Sequence, residues 1–108
     1  MSDPKEIVVI SGGFDPIHSG HIAYLKDAKK YGDHLIALLN SDDWLVKKKG
    51  KYFLPFSERK IILENINLID EVLDFEDDKL GSCIEGLKKI RDRYPNAQII
   101  FCNGGDRK

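Results

Sequence analysis

Two histidines three residues apart, His18 and His21, flank Gly20 in the stretch GGFDPIHSGH, residues 12–21. Imidazoles at that spacing can do two kinds of chemistry: ligate a metal, or donate hydrogen bonds to phosphate oxygens. Zinc would need further ligands. The candidates are His34, Cys83 and Cys102, which open an apolar run, open a helical stretch and sit inside an apolar run, respectively. No compact set of four ligands emerges from them. Phosphate suits the surroundings better. Gly12 and Gly13 permit close backbone approach, Pro16 stiffens the turn, and Gly20 leaves room for an anion between the rings. A turn of this kind leading into a helix offers free backbone N–H groups and the positive end of the helix dipole. A plain turn with two solvated histidines would explain either histidine alone. It explains less well the combination of Phe14, Asp15, His18, Gly20 and His21. Neither the dinucleotide fingerprint G-x-G-x-x-G nor a P-loop ending in Gly-Lys-Ser/Thr is present.

Two other polar clusters stand out. KKKGK, residues 47–51, carries four positive charges in five residues. Such a run is usually a solvated face or a weak nucleic-acid patch. RNA binding would call for aromatic stacking platforms, and none is evident around these lysines. NGGDRK, residues 103–108, places Asp106 after Gly104 and Gly105. The formal net charge of −1 creates no global field for nucleic acid or an anionic membrane. The expectation is therefore no nucleic-acid partner and no membrane. MSDPKE lacks the apolar core of a signal peptide, and no apolar run approaches the ~20 residues that span a bilayer. With two unpaired-looking cysteines, these features predict a cytoplasmic protein with reduced thiols.

The elements that must position these clusters follow from hydrophobic patterning. Ile7 to Ile10 is a short apolar run rich in β-branched residues, and Leu35 to Leu39 is a second. Both suit strands buried on two faces. Between them Ile22, Leu25, Ala28 and Lys29 mark a helical period, with Gly32 as a stop. SDDWLVKKKGKYFL, residues 41–54, reads mainly as a loop. FSERKIILENINLID predicts a second helix, with Ser57 as N-cap and Phe56 with Ile61 as a hydrophobic staple. DEVLDF reads as a third strand. Ser82 and Glu85 form a capping box for a third helix, Pro95 follows its end, and AQIIFC reads as a fourth strand. The order β-α-β-α-β-α-β predicts an α/β fold: a Rossmann-like parallel sheet with helices on both faces. At 108 residues this is one small domain. Ligands in such folds sit beyond the carboxyl ends of the strands, and the three polar clusters all fall on that edge.

GGFDPIHSGH resembles the H-x-G-H signature of the cytidylyltransferase-like nucleotidyltransferase superfamily. GDHLIALLNSD, KKKGK, PFSERKIILENINLIDEV and NGGDR extend the resemblance over nearly the whole chain. Their order and spacing are similar to the heptose-1-phosphate adenylyltransferase and glycerol-3-phosphate cytidylyltransferase branches. The resemblance implies transfer of a nucleoside monophosphate from a nucleoside triphosphate to a small sugar or polyol phosphate, with release of pyrophosphate. NSD, FEDD and NGGD look most like the heptose branch, which favours ATP. The alternatives are the CTP-using glycerol-phosphate branch and a non-catalytic nucleotide-binding module.

The resemblance also implies residue roles. His18, His21 and Lys49 are the expected catalytic groups, and Lys47, Lys48 and Arg59 the expected contacts to substrate phosphate. Gly12, Gly13, Phe14, Asp15, Gly20, Gly105 and Asp106 are the expected nucleotide-binding residues, Asp15 also holding the motif loop. Trp44 is a weaker candidate for lining the acceptor site. Mg²⁺ is expected to accompany the nucleotide, with no protein metal site, and a homodimer is expected. In the family a further strand and a helix start with an I-S-T/S-type motif follow the GGD segment. This sequence lacks them, so a C-terminally truncated domain over residues 1–108 is expected, and the activity of that form is open.

Overall fold

Unbroken burial marks the two central strands. In β1 (Glu6–Gly12) Ile7, Val8, Val9 and Ile10 are fully buried, and in β2 (His34–Leu39) so is every residue from Leu35 to Leu39. A strand covered on both faces has no solvent side to fill with polar residues, hence the continuous apolar runs. The computed structural model describes residues 5–77 and 83–102. Their four strands form one parallel sheet in the order β3-β2-β1-β4, with β3 at Glu71–Leu73 and β4 at Gln98–Phe101. Ile7 lies opposite His34 and Gly12 opposite Leu39, while Glu6 lies opposite Gln98. The α/β class, the parallel sheet and its four strands agree with the sequence.

Helices cover both faces. Leu25 and Ala28 of α1 (Ser19–Lys29) and Leu63 of α3 (Phe56–Glu64) join Val8, Ile10, Leu35, Ala37 and Leu39 in one core. Ile90 of α4 (Ile84–Arg93) joins Ile7, Val9, Ile36 and Leu38 on the opposite face, with Leu87 packed alongside. Burying one such side chain is worth about 1.5–3 kcal/mol. Because β1 has β2 on one side and β4 on the other, the strand order reverses there. Parallel sheets open a ligand crevice beyond the carboxyl ends of the strands at such a point.

Three local expectations are corrected. Residues 42–49 are not a loop but a fourth helix, α2 (Asp42–Lys49). Ser41 caps it by accepting from Trp44 N, and Gly50 ends it in the left-handed conformation at φ 86°. Ser57 is not an N-cap. Pro55 takes that position, α3 starts at Phe56, and Ile61 is exposed, so the predicted staple is absent. Proline fixes φ near the value a helix entry requires, which moves the boundary two residues earlier. Helix α1 ends at Lys30, short of Gly32. Ser82 lies outside the described residues; the N-cap of α4 is Cys83, without a side-chain capping bond. Cys83 and Cys102 are both free and part-buried. Among the described residues no helix is long and apolar enough to cross a membrane.

Candidate functional site

The two histidines build the start of α1. His18 is its N-cap, and Gly20 N donates to His18 Nδ1 at 3.0 Å. His18 N in turn donates to His21 Nδ1 at 3.1 Å. This is a reciprocal capping box, with imidazoles in the places that a hydroxyl and a carboxylate usually occupy. A nitrogen that accepts carries no proton. Both rings are thereby held as the neutral tautomer protonated at Nε2, and each Nε2–H lies on the ring edge turned away from the helix end. The ring centroids are 4.2 Å apart. A side chain at position 20 would place Cβ 2.8 Å from His18 Cε1, so the glycine makes room for the ring it lies under. Burial, and then the neighbouring His18, lower the His21 pKa below the usual imidazole value. The expected free backbone donors at this helix start are partly spent: Gly20 N serves His18 Nδ1, and His21 N donates to His18 O.

These rings line a cleft of about 570 Å³ at the carboxyl ends of the central strands. Gly12, Gly13, Phe14 and Gly20 also line it, together with Trp44 and Lys48. Phe14 is buried with φ 50°, a region uncommon for an aromatic residue. Its ring lies 5.1 Å from that of His21 and backs it. Three further lining residues were not singled out in the sequence: Ser11, Asn40 and Tyr24. Tyr24 follows His21 by one helical turn, and its hydroxyl donates to Cys102 O at 2.6 Å, tying α1 to the end of β4. Asn40 is the buried residue directly after β2. Helical spacing from His21 and position just past an apolar run were the available signals.

The structure sorts the lysines by helical position. Leu45 is buried and packs onto Gly13, where any side chain would sit 2.6 Å from Leu45 Cδ2. With Leu45 inward, Lys49 lies one turn further on the same side, and its Nζ donates to Asp15 O at 3.0 Å. Trp44 and Lys48 form the adjacent row, facing the cleft. Lys47 is exposed and is not part of the cleft wall. Of the three lysines of α2, Lys48 is the one that lines the cleft. Aromatic rings do accompany these lysines, against the sequence reading: Lys48 Nζ lies 5.3 Å from the Trp44 ring centroid, and Lys49 and Lys51 lie 5.9 and 5.7 Å from that of Phe53.

Asp15 and Arg59, both expected at the ligand, have their side chains engaged within the fold, and Asp15 holds the motif loop as the sequence also led one to expect. Asp15 is buried, and its carboxylate accepts from Phe53 N at 2.6 Å and from Leu54 N at 2.7 Å. Both oxygens are committed to the chain beyond α2, so Asp15 ties the motif turn to the lysine segment. The peptide bond that follows it, Asp15–Pro16, is cis. Arg59 is only 1% exposed. Its guanidinium donates to Leu54 O, Gly13 O and Asn40 O at 2.8–2.9 Å and to Asp42 Oδ1 at 2.6 Å. A fork so engaged holds three segments together under the cleft and is not free to meet substrate phosphate. Gly105 and Asp106 lie outside the described residues.

Comparison with known proteins places this geometry. A model of the cytidylyltransferase-like family matches residues 9–106. The bifunctional protein HldE of Escherichia coli O1:K1 / APEC is 36% identical over 94% of the chain, and that of Enterobacter sp. (strain 638) is 34% identical over the same share. The chain spans about a quarter (24%) of the length of these curated relatives. Among solved structures, the lipopolysaccharide core biosynthesis protein from Thermoplasma volcanium GSS1 superposes with a TM-score of 0.65 at 22% identity. That match covers 96% of this chain and 100% of the other. Plasmodium falciparum nicotinic acid mononucleotide adenylyltransferase, complexed with NaAD, superposes at 0.61 with 21% identity, over 90% of this chain and 50% of that one. At such identities the structural likeness speaks for the fold, while the family match rests on the sequence from Val9 to Asp106 and includes the histidine turn. The chain belongs to the cytidylyltransferase-like family of nucleotidyltransferases.

Proposed function

We propose that the chain transfers a nucleoside monophosphate, AMP in preference to CMP, from the triphosphate to a small sugar or polyol phosphate. An oxygen of the acceptor phosphate attacks the α-phosphorus, the bond to the β-phosphate bridging oxygen breaks, and pyrophosphate leaves. No covalent enzyme intermediate is needed. The task of the protein is positioning and stabilisation of charge on the transferring group. The observation that carries this reading is the histidine capping box. It fixes two neutral imidazoles with their Nε2–H donors turned from the helix end, in a cleft that also holds Lys48. Donors held before the substrate arrives cost no reorganisation during reaction. Lys48 supplies a positive charge in the same cleft. The preference for ATP rests on the loops NSD, FEDD and NGGD.

Mg²⁺ is part of the proposal. Among the described residues no group of three or more His, Cys, Asp or Glu side chains is gathered to hold a metal ion. The ion proposed is one carried in with the triphosphate. When bound it would neutralise charge on the departing pyrophosphate.

The test is pyrophosphate release with Mg²⁺, pairing ATP or CTP with sugar phosphates and with glycerol 3-phosphate. ATP with a sugar phosphate is expected to give release, and His18→Ala to reduce it about 10²–10³-fold, the cost of one lost transition-state donor. Release only with CTP and glycerol 3-phosphate would overturn the ATP preference. Nucleotide binding without release from any pair would overturn transfer in favour of a binding module.

A further inference from the structure

Trp44 and Lys48 are neighbours by construction. They stand four residues apart on α2, and the roll of that helix is set by Leu45 packing onto Gly13. The first turn of α2 is held as well. Ser41 Oγ accepts from Trp44 N at 3.0 Å and donates to Asp77 Oδ2 at 2.6 Å, which anchors the cap to the chain beyond β3. The indole is thus carried on a fixed backbone, while the lysine reaches the cleft on a flexible stem. Left to itself, such a stem samples many rotamers, and ordering it opposes binding.

Resting on the transferase reading, we propose that Trp44 is a positioning residue: its indole face holds the Lys48 ammonium at the cleft wall, ready for the polyphosphate of the nucleotide. The ammonium lies 5.3 Å from the ring centroid, within the range of a cation–π contact. It has three N–H donors. One side faces the ring and the others remain for phosphate oxygens. Neither neighbouring lysine can substitute, because Lys49 Nζ is bonded to Asp15 O and Lys47 is not part of the cleft wall. The ring therefore acts on the phosphates through Lys48, without touching the nucleobase or the acceptor.

A double-mutant cycle in the full 108-residue chain tests this, read by calorimetric binding of inorganic tripolyphosphate, which has no base to stack. Trp44→Leu is expected to weaken binding about two- to fivefold, the range of an exposed cation–π contact. Trp44→Phe, which keeps a ring face, is expected to retain most of the affinity. In a Lys48→Met background Trp44→Leu is expected to cost nothing further. In turnover, Trp44→Leu is expected to raise KM for the triphosphate with little change in kcat. An equal loss from Trp44→Leu with and without Lys48 would overturn the proposal, since the ring would then act independently of the lysine. So would a loss seen with ATP but not with tripolyphosphate, which would place the indole against the base. Coupling in the binding cycle from a chain that never releases pyrophosphate would keep the Trp44 assignment and overturn the transferase reading. Turnover without coupling would do the reverse. No binding of tripolyphosphate together with no pyrophosphate release would overturn both.

Discussion

The two ends of the sheet both carry histidines, and they use them in opposite ways. At the carboxyl end His18 and His21 are bonded through one nitrogen each, and only to backbone N–H groups. At the amino end His34 Nε2 lies 3.1 Å from Glu71 Oε1, and its Nδ1 lies 3.9 Å from Asp70 Oδ2. Glu71 also accepts from Tyr94 OH at 2.7 Å and pairs with Arg93 at 3.1 Å, while Asp70 pairs with Lys29 and accepts from Leu35 N. Burial pushes the Glu71 carboxyl up, but the hydrogen bonds from Tyr94 and His34 and the charge of Arg93 outweigh it and hold it below the usual range. A cavity of about 330 Å³ lies there too, lined by Asp70, Glu71 and Arg93. Of its charged groups Glu71 pairs with Arg93, and Asp70 pairs with Lys29 beside it. The cleft differs because its scaffold bonds stop short of its outward atoms, leaving donors for a ligand. Both ends have a histidine and a cavity; what distinguishes them is the direction of the hydrogen bonds.

The sharpest way to break this contrast is to remove what holds the cleft end together. Arg59→Ala leaves three carbonyls and the Asp42 carboxylate without their donor. A loss of about 2–4 kcal/mol is expected, chiefly from carbonyls left without a donor, measured by urea unfolding. Arg59→Lys should recover only part, because a lysine lacks the planar fork that reaches four acceptors. If Arg59→Ala unfolds like the parent protein, the cleft is not built on this residue. A crossed pair of variants comes next. Glu71→Gln is expected to cost about 1–3 kcal/mol of stability and leave pyrophosphate release unchanged. His18→Ala should lower release by orders of magnitude while costing about 1 kcal/mol, the worth of a lost N-cap. Equal effects of the two on activity would end the distinction between the ends.

Most of the fold was legible because burial writes itself as composition. Ile7 to Ile10 and Leu35 to Leu39 are apolar without interruption, and the structure buries them on both faces. Helix α2 was missed because its apolar residues, Trp44, Leu45 and Val46, are consecutive and show no helical period, and because only Leu45 is buried. Caps make that helix, and Ser41 and Gly50 were readable as such. The histidine turn was legible as a motif but not as a capping box. Its positions match the S-x-x-E pattern, and an imidazole Nδ1 can accept as a hydroxyl or carboxylate does. Arg59 could not be placed from its own neighbourhood. Two of its acceptors, Gly13 O and Asn40 O, lie 46 and 19 residues away in the chain. Asp15 is the same case, since its partners Phe53 and Leu54 meet it only after α2 has turned the chain back.

The smallest expected effect separates the two ends by pH. His21 is held below the usual imidazole value of about 6.5 by burial and by His18. Folding therefore favours its neutral form. Above about 6.5 the imidazole is neutral in folded and unfolded chains alike, and its contribution is fully present. As pH falls from there through the lowered folded value, the unfolded chain binds the proton first and the contribution is lost. Protonation at Nδ1 also removes the acceptor for His18 N–H and opens one half of the capping box. Glu71 and Asp70 follow the same sign in a lower window. Both carboxyls are held below their ordinary values, so their contribution persists until pH falls through those lowered values. Acid should loosen the cleft end before the paired end. Thermal unfolding from pH 7.5 to 3 checks this: His21→Gln should flatten the decline in the upper part of that range, and Glu71→Gln in the lower part. A His21→Gln curve parallel to the parent throughout would mean that the capping box carries no proton linkage. The neutral imidazoles of the cleft would then owe their tautomers to something other than the helix they cap.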